Sequence, residues 1–365
     1  MKTHSSTEPQ KAARWSIASP GTDAVFHWDY DGGRNRLLAL YEKGKTKQWD
    51  ANTRLDWSQD VDPENPLGFP DEYVVLYGSA IWERMDAKER GLVRRHLDCW
   101  RFSQFLHGEQ GALVCASRIV QVVPDLDAKF YAATQVFDEA RHVEVFSRYL
   151  REKLHIIYPI NPNLQTLLGQ ALGDARWDMT YLAMQVLIEG LALAAFGLIR
   201  DLATEPLGRS LTAYVMQDEA RHVAFGRLAL KDLYPRLTEK ERDEREEFAV
   251  EACYLMRDRF LGQEVFEKLG LDVPACAEHM RTSEIMQQYQ RMLFTRIVPT
   301  LKDIGLWGPR LRSAFADMGV LEFGELDTRE QGQADEDVAL EMERLREARD
   351  AYVAGVSAQS QEAAY

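Results

Sequence analysis

The sequence predicts an all-α protein with a four-helix bundle core and additional N- and C-terminal helices. The main observation is a repeat: the pentapeptide Asp-Glu-Ala-Arg-His occupies residues 138–142 and returns unchanged at residues 218–222. The second observation is a lone glutamate thirty positions before each repeated glutamate, Glu109 in the first half and Glu189 in the second. Both stand in apolar runs that are typical of helices buried in a bundle.

Each half of the repeat is predicted to fold as a helical hairpin. Pro124 stands midway between Glu109 and Glu139, and Glu205 and Pro206 stand close to the midpoint of the second half. Because proline breaks a helix, each midpoint marks the turn between two helical arms of equal length. Folding brings the upstream glutamate level with the Glu-x-x-His pair, and two hairpins packed face to face make the bundle.

Residues 1–85 are predicted to form an N-terminal extension that packs on the bundle. Residues 1–35 form an irregular lead, a short helix begins over Leu37–Tyr41, and Trp49 and Trp57 are expected to anchor the extension. The bundle itself is assigned to residues 86–235. Its helices are expected at about 86–123, 126–154, 175–202 and 207–233, with residues 155–173 as the crossover between the hairpins.

Residues 236–323 are predicted to add further helices to the same domain. Thr238 and Glu241 form a capping-box pattern, which predicts a helix that continues to about residue 269. Asp272-Val273-Pro274 begins a further helical stretch to about residue 301. Residues 324–365 turn acidic and then alternate in sign, so we expect a partly disordered tail with a solvated helix.

Composition narrows the class of protein. A chain of 365 residues that is 45% hydrophobic can bury a substantial core, and its net charge of −14 argues against nucleic acid or an anionic membrane as partner. The four cysteines show no paired spacing, which fits a reducing cytoplasm. The sequence has no apolar signal core and no run of about 18 consecutive apolar residues. A homodimer paired through a long helix face is a reasonable expectation.

The repeated spacing predicts a metal site inside the bundle. Residues three apart on a helix lie about 60° apart around the axis, so both members of a Glu-x-x-His pair can reach one ion. An isolated Glu-x-x-His is usually a solvated pair, but lone carboxylates in apolar helices are rarely buried unless paired or bound to metal. The candidate ligands are Glu109, Glu139, His142, Glu189, Glu219 and His222.

The donor set indicates which metals fit. Four carboxylates and two imidazoles suit iron or manganese better than copper, and a structural zinc site is not indicated because the motif holds no thiolate. Two divalent ions bring four positive charges, which balance four carboxylates when the imidazoles are neutral. Asp138 and Asp218 are candidates to accept the free N–H of a ligating histidine, each serving the opposite hairpin.

These motifs resemble the ferritin-like di-iron carboxylate superfamily, whose bundles take a Glu from two helices and Glu-x-x-His from two others. The resemblance covers roughly residues 86–235. Asp-Glu-x-Arg-His in both halves is most similar to the oxygen-activating branch: bacterial multicomponent monooxygenase hydroxylases, acyl-carrier desaturases, ribonucleotide reductase radical subunits and aryl-amine oxygenases. It implies a ferritin-like bundle and a cofactor of two iron ions, with Mn/Fe or two manganese ions as alternatives.

The resemblance also implies a ligand arrangement and a reaction. The ligands of one iron are Glu109, Glu139 and His142, and those of the other are Glu189, Glu219 and His222. Either Glu139 or Glu219 would bridge them. The expected protein is an O2-activating oxygenase that hydroxylates or otherwise oxidises a small organic substrate, with electrons from a separate reductase or ferredoxin. Candidates for the cavity wall are Phe105, Phe137, Phe146, Phe196 and Phe225.

Several relatives fit less well. Radical subunits usually carry a tyrosine four residues after the first ligand histidine and an aspartate as first ligand, where this chain has Phe146 and Glu109. The best-known aryl-amine N-oxygenases add a histidine four residues before the last glutamate, where this chain has Val215. N-oxygenation therefore stays an alternative. A desaturase must dock an acidic carrier, which the net charge disfavours unless Arg94, Arg95 and nearby bases form a patch.

Related bundles also serve functions outside oxygenase chemistry. Peroxide dismutation at a di-manganese site and iron storage are two of them. Storage proteins are normally short single bundles, whereas the N- and C-terminal additions here favour a shaped, enclosed site. A metal-binding scaffold ranks last, because a simpler ligand set would suffice for it.

Overall fold

The computed structural model describes residues 15–18, 24–28, 30 and 35–362. Within these residues all regular structure is helical, which confirms the predicted all-α class with a bundle core and added helices. Most of the lead predicted to be irregular over residues 1–35 lies outside the described residues. One apolar core connects the parts of the molecule, since it includes residues as far apart in the chain as Leu37 and Val320.

The N-terminal extension lies against the bundle. Its elements are α1 (Asn35–Thr46), α2 (Ala51–Arg54), a 3-10 turn (Asp71–Tyr73) and α3 (Ala80–Glu83). α1 packs on the two bundle helices that carry the repeated pentapeptides. This contact delivers Gln48 and Trp49, which follow α1, to the surface of the bundle next to those pentapeptides.

The bundle is built from the segments that the repeat predicted. In chain order its elements are α4 (Ala87–Val122), α5 (Leu126–Tyr149) followed by a π-helical turn (Leu150–Leu154), α6 (Pro162–Gly173), α7 (Trp177–Tyr181), a π-helical segment (Leu182–Ile188), α8 (Glu189–Leu202) and α9 (Pro206–Lys231). α7, the π-helical segment and α8 form one continuous helix. The four bundle helices are therefore α4, α5, α7–α8 and α9, and α6 lies within the predicted crossover.

Local chemistry sets the ends of these helices. α4 begins with a capping box, in which Asp86 and Glu89 each accept a hydrogen bond from the other's backbone N–H, at 2.8 and 2.9 Å. It ends at Val122 because the residue before Pro124 favours an extended backbone. α9 starts with Pro206. Proline is tolerated there because the N–H groups of a helix's first turn have no acceptor within the helix, so no hydrogen bond is lost.

The C-terminal region is more broken than predicted. Its elements are a 3-10 turn (Tyr234–Arg236), α10 (Glu239–Arg259), α11 (Gln263–Leu269), α12 (Val273–Thr282), α13 (Glu284–Met292), α14 (Ile297–Asp303), α15 (Pro309–Asp317), a 3-10 turn (Leu321–Glu325) and α16 (Thr328–Glu362). The helix expected to continue to residue 269 ends ten residues earlier, because Gly262 adopts a left-handed backbone with φ of 56°. Extended backbone at Ser283 likewise separates α12 from α13.

The acidic tail forms a helix, α16, whose described side chains are mostly exposed and whose first half contacts the rest of the protein. α16 is helical as far as Glu362, and residues 363–365 lie outside the described residues. Its ion pairs to the bundle and the extension are Asp335–Arg296 at 2.9 Å, Glu336–Lys43 at 2.8 Å and Glu343–Arg54 at 2.7 Å. Asp335 is only 9% exposed, so this end of α16 belongs to the folded structure.

The third bundle helix is long and apolar enough to cross a membrane by length and composition. Trp177–Leu202 contains a window with a mean hydropathy of 2.0. In the structure, 83% of that window is buried by the other helices of the protein. Its apolar character is therefore accounted for by packing at the centre of the bundle.

Substituting Thr238 with alanine is expected to destabilise the protein by about 1 kcal/mol, because the capping box at the start of α10 is lost. Urea unfolding followed by circular dichroism measures the change. Ser283→Ala is the matched control, since Ser283 precedes α13 without a side-chain capping hydrogen bond. Equal effects of the two substitutions would contradict this account of the cap.

Candidate metal centre

The structure brings the six candidate ligands together at the centre of the bundle. Each of the six residues is at most 5% exposed. They are Glu109 on α4, Glu139 and His142 on α5, Glu189 at the start of α8, and Glu219 and His222 on α9. His142 Nδ1 lies 3.2 Å from oxygens of Glu109 and Glu219. His222 Nδ1 lies 3.1 Å from Glu139 and 3.4 Å from Glu219.

The six side chains divide into two overlapping groups. Ligand atoms of Glu109, Glu139, His142 and Glu219 lie within 4.8 Å of one another, and so do those of Glu139, Glu189, Glu219 and His222. Glu139 and Glu219 belong to both groups. The resemblance implied that one of these glutamates would bridge, whereas this geometry lets both carboxylates span the two positions.

Unsatisfied buried atoms indicate that the cluster suits cations. Glu139 Oε2, Glu189 Oε2 and both carboxylate oxygens of Glu219 have no hydrogen-bond partner among the described residues. Buried carboxylates without partners are costly, so several at one point require positive charge beside them. Two divalent ions would supply that charge, and oxygen and imidazole donors suit iron or manganese. The cluster could therefore hold two metal ions.

Without metal ions, bound protons reduce the repulsion between the buried carboxylates. Burial, reinforced by the charge of Glu219, raises the pKa of the Glu109 and Glu189 carboxyls well above the ordinary value. Burial alone would lower the pKa of His142, but its hydrogen bond to Asp218 and its neighbouring glutamates outweigh burial and raise it. The metal-free cluster therefore holds protons, and a metal ion must displace them in order to bind.

The aspartates of the two pentapeptides contact the histidines of the opposite hairpins. His142 Nε2 lies 3.0 Å from Asp218 Oδ2, and His222 Nε2 lies 3.3 Å from Asp138 Oδ2. An aspartate accepts the Nε2–H, which leaves Nδ1 of each imidazole facing the carboxylate cluster. This arrangement orients both rings and selects the tautomer that a metal ligand needs.

Sequence reasoning missed the arginines of the repeat, although their identity in both copies was the available signal. Arg141 Nη2 donates to Asp138 at 2.6 Å and to Asp218 at 2.7 Å. Arg221 likewise contacts both aspartates. Since all four side chains are buried, two positive charges offset the two negative charges and hold the aspartates against the histidines.

Two residues of the N-terminal extension join the layer formed by the aspartates and arginines of the two pentapeptides. Gln48 Nε2 donates to Asp138 at 2.8 Å, and Trp49 Nε1 donates to Asp218 at 2.9 Å. The Arg141 guanidinium also lies over the Trp49 ring, 4.7 Å from its centroid. Trp49 was expected to be a packing anchor only, and the structure gives it a hydrogen bond into the pentapeptide network as well.

The interior of the bundle differs at the two ends of the cluster. Phe105, Phe146 and Phe196 pack against one another at one end, with ring centroids 4.7 to 5.8 Å apart. Phe225 packs at the opposite end, 4.4 Å from the Tyr131 ring. Phe137 is 61% exposed, so its placement in a cavity wall was wrong: it points out of the bundle.

A cavity of about 490 Å³ lies outside the bundle, between α1, α9 and α16. Trp49 and Arg221 form part of its wall, whereas none of the six cluster residues does. The layer of aspartates and arginines thus separates this cavity from the cluster.

The chain matches a known family over most of its length. The model described as p-aminobenzoate N-oxygenase AurF matches residues 33–305, and the chain belongs to this family. It is therefore an oxidoreductase of the ferritin-like di-metal oxygenase superfamily, which confirms the resemblance drawn from the repeated motifs. No curated protein matches the chain.

Solved structures with a similar helical arrangement share little sequence with the chain. A Synechococcus protein with aldehyde deformylating oxidase activity is 16% identical, with a TM-score of 0.45, over 61% of this chain and 96% of its own. A variant of an R2-like ligand-binding oxidase with a reconstituted Mn/Fe cofactor is 18% identical, with a TM-score of 0.42, over 78% of this chain and 94% of its own.

Metal binding is expected to release protons, because Glu109 and Glu189 hold protons in the metal-free protein and must lose them to bind a cation. The apparent affinity for Fe²⁺ should therefore rise with pH as these carboxyl groups lose their protons. Anaerobic calorimetry in buffers of different ionisation enthalpy measures the number of protons released. An affinity that is independent of pH would contradict the raised pKa values.

Asp218→Asn is expected to weaken metal binding by about 10- to 100-fold, because the amide has no negative charge and only one accepting oxygen. It cannot accept from Arg221 on one side and from His142 and Arg141 on the other. Anaerobic titration with Fe²⁺ measures the affinity. Asp201→Asn, at the exposed end of α8, is the control and should leave the affinity unchanged.

Proposed function

We propose that this protein is an O2-dependent oxygenase that oxidises the nitrogen of a small organic amine. The observation that carries the proposal is the buried cluster of four glutamates and two histidines in a chain that belongs to an N-oxygenase family. We assign the six cluster residues as ligands of two metal ions, with iron as the leading choice and Mn/Fe or two manganese ions as alternatives.

When bound, the two metal ions would supply the activation of O2. The net reaction converts R–NH2, O2, two electrons and two protons into R–NHOH and H2O, so one oxygen atom enters the nitrogen and the other leaves as water. The amine nitrogen loses two electrons, and an external donor supplies the other two that O2 requires. A separate reductase or ferredoxin is the proposed donor.

The residues of the chain hold, orient and insulate the centre. Four carboxylates balance the charge of two divalent ions, and the aspartates aim the imidazoles at them through Nε2. Burial of all six side chains keeps bulk water from the centre, which strengthens each electrostatic interaction there and limits loss of the oxidant to side reactions.

Carbon hydroxylation is the second candidate, and it was the first expectation from the sequence. Val215 favours it, because the best-known N-oxygenases have a histidine at this position, and here a fully buried valine cannot bind metal. The family match favours nitrogen instead. We rank N-oxygenation first because the match covers all four bundle helices, whereas Val215 is a single departure.

We also propose a cellular location, an assembly and a form of the substrate. Four free cysteines are buried among the described residues, which is consistent with a reducing cytoplasm. We retain a homodimer as the proposed assembly. The substrate is expected to reach the bundle as a free small molecule.

A single-turnover experiment tests the function. Protein loaded with about two irons per chain is reduced anaerobically, mixed with p-aminobenzoate and exposed to ¹⁸O2. We expect a product with one labelled oxygen on nitrogen. Labelled oxygen on a ring carbon would instead support carbon hydroxylation, and no labelled product from a panel of aryl amines would contradict the proposal.

Glu139→Ala is expected to abolish product formation and to lower the iron content, because Glu139 belongs to both ligand groups. Iron content is measured by elemental analysis beside the turnover experiment. The matched control is Glu144→Ala on the same helix, since Glu144 is exposed and distant from the cluster face. A Glu139→Ala variant that keeps iron and activity would show that these ligands are misassigned.

A further inference from the structure

We propose that Gln135 and Gln185 form a polar subsite that binds the amino group of the substrate beside Glu189. This subsite rests on the proposed function, because it assigns a place inside the bundle to the group that is oxidised. Two observations support it: unsatisfied amide atoms and an asymmetry between the two halves of the repeat.

Gln135 presents a fixed, unused acceptor next to the cluster. It is fully buried on α5, one turn before Glu139. Its Nε2 donates to Glu139 Oε1 at 3.0 Å and to Glu189 Oε1 at 2.8 Å. With Nε2 against these two carboxyl groups, Oε1 is the atom of the amide that is left to accept a hydrogen bond. Gln135 Oε1 is left without a partner among the residues that the structure describes.

Gln185 is a buried amide with no partner at either atom. Its side chain is fully buried, and neither Oε1 nor Nε2 makes a hydrogen bond among the described residues. It stands four residues before Glu189 on the π-helical segment Leu182–Ile188. The matching stretch of α4 before Glu109 is regular α-helix. Single π-helical segments within α-helices often occur at functional sites.

The repeat shows that these amides replace apolar residues. Eighty positions earlier, the counterpart of Gln185 is Phe105, and eighty positions after Gln135 stands Val215. Phe105 packs on Phe146 with ring centroids 5.8 Å apart. The second half has Gln185 in the place of the first ring and a glycine in the place of the second. At these two matched positions, one end of the cluster thus has two rings, whereas the other has an amide and a glycine.

Glycine at position 226 allows α9 to pack directly against Gln185. A Cβ at this position would clash with the Gln185 Cβ, so α9 can approach the π-helical segment only because residue 226 is glycine. The Tyr131 hydroxyl, also buried and without a partner in the described part of the chain, lies near this end, since its ring is 6.5 Å from that of His222. This end therefore holds the packed rings of Tyr131, Tyr181 and Phe225. Beside them lie the unsatisfied amides of Gln135 and Gln185.

The chemistry of these atoms identifies the class of ligand. Gln135 Oε1 and Gln185 Oε1 are acceptors, which match the two N–H bonds of a primary amine. Binding by both N–H groups leaves the nitrogen lone pair unused and holds the nitrogen beside Glu189. Removing a substrate N–H would leave buried amide oxygens unpaired, so the subsite selects amines over analogues without nitrogen.

Binding measurements on the metal-loaded protein under anaerobic conditions test the subsite. The probes are p-aminobenzoate and benzoate, which lacks the amino group, and calorimetry gives both affinities. We expect the wild-type protein to prefer p-aminobenzoate. Gln185→Leu should weaken p-aminobenzoate binding by about tenfold and leave benzoate binding unchanged, because only the amine contacts the lost amide.

Two controls separate this effect from general damage to the core. Phe105→Leu alters the matched position of the first half and should not change the preference between the probes. Gln185→Met keeps an unbranched side chain and should reproduce Gln185→Leu if the latter folds poorly, with iron content and circular dichroism as checks. Either Gln185 variant keeping the wild-type preference, while iron content is intact, would overturn the subsite.

The outcome also distinguishes the subsite from the proposed function. If the wild-type protein oxidises p-aminobenzoate at nitrogen and Gln185→Leu keeps the amine preference, the subsite is wrong and the function stands. If the wild-type protein neither prefers nor oxidises the amine, both are overturned.

Discussion

Four glutamate carboxylates buried at one point of a helical bundle repel one another, and the arrangement of this protein depends on that constraint. Burial excludes bulk water, and no lysine or arginine of the described residues pairs with these oxygens, so positive charge has to come from protons or metal ions. Glu139 and Glu219 belong to both ligand groups, which ties the two positions into one centre. Metal loading, protonation and stability of the bundle core are therefore coupled.

A second group of buried charged residues surrounds the four glutamates. In contrast to the glutamates, these charges are paired with one another. Asp138 and Asp218 each contact both arginines of the pentapeptides and the histidine of the opposite hairpin. The contacts cross between hairpins, so each half of the repeat orients the histidine of the other half. Gln48 and Trp49 join the layer from the N-terminal extension, which makes that extension part of the centre rather than an accessory.

The repeat produces near symmetry in the six-residue cluster, but not in the side chains beyond it. The cluster residues, the aspartates and the arginines have identical counterparts eighty positions apart. One turn away, Phe105 and Phe146 correspond to Gln185 and Gly226. Symmetry suits a pair of metal ions, whereas a substrate has to approach from one side and meet different chemistry there. The difference between the two ends of the bundle is what would turn a metal centre into a selective oxygenase.

The sequence alone determined the helical class, the ends of the bundle helices near Pro124 and Pro206, and the six residues of the cluster. These follow from short-range rules, because helical spacing and proline turns act within a few residues of the chain. Tertiary structure decided what depends on distant contacts. It set which aspartate contacts which histidine, and it placed Trp49 in the hydrogen-bond network and Phe137 at the surface. It also paired Asp335 of α16 with Arg296. Helical periodicity shows which residues share a face, but only the packing of helices shows what that face meets.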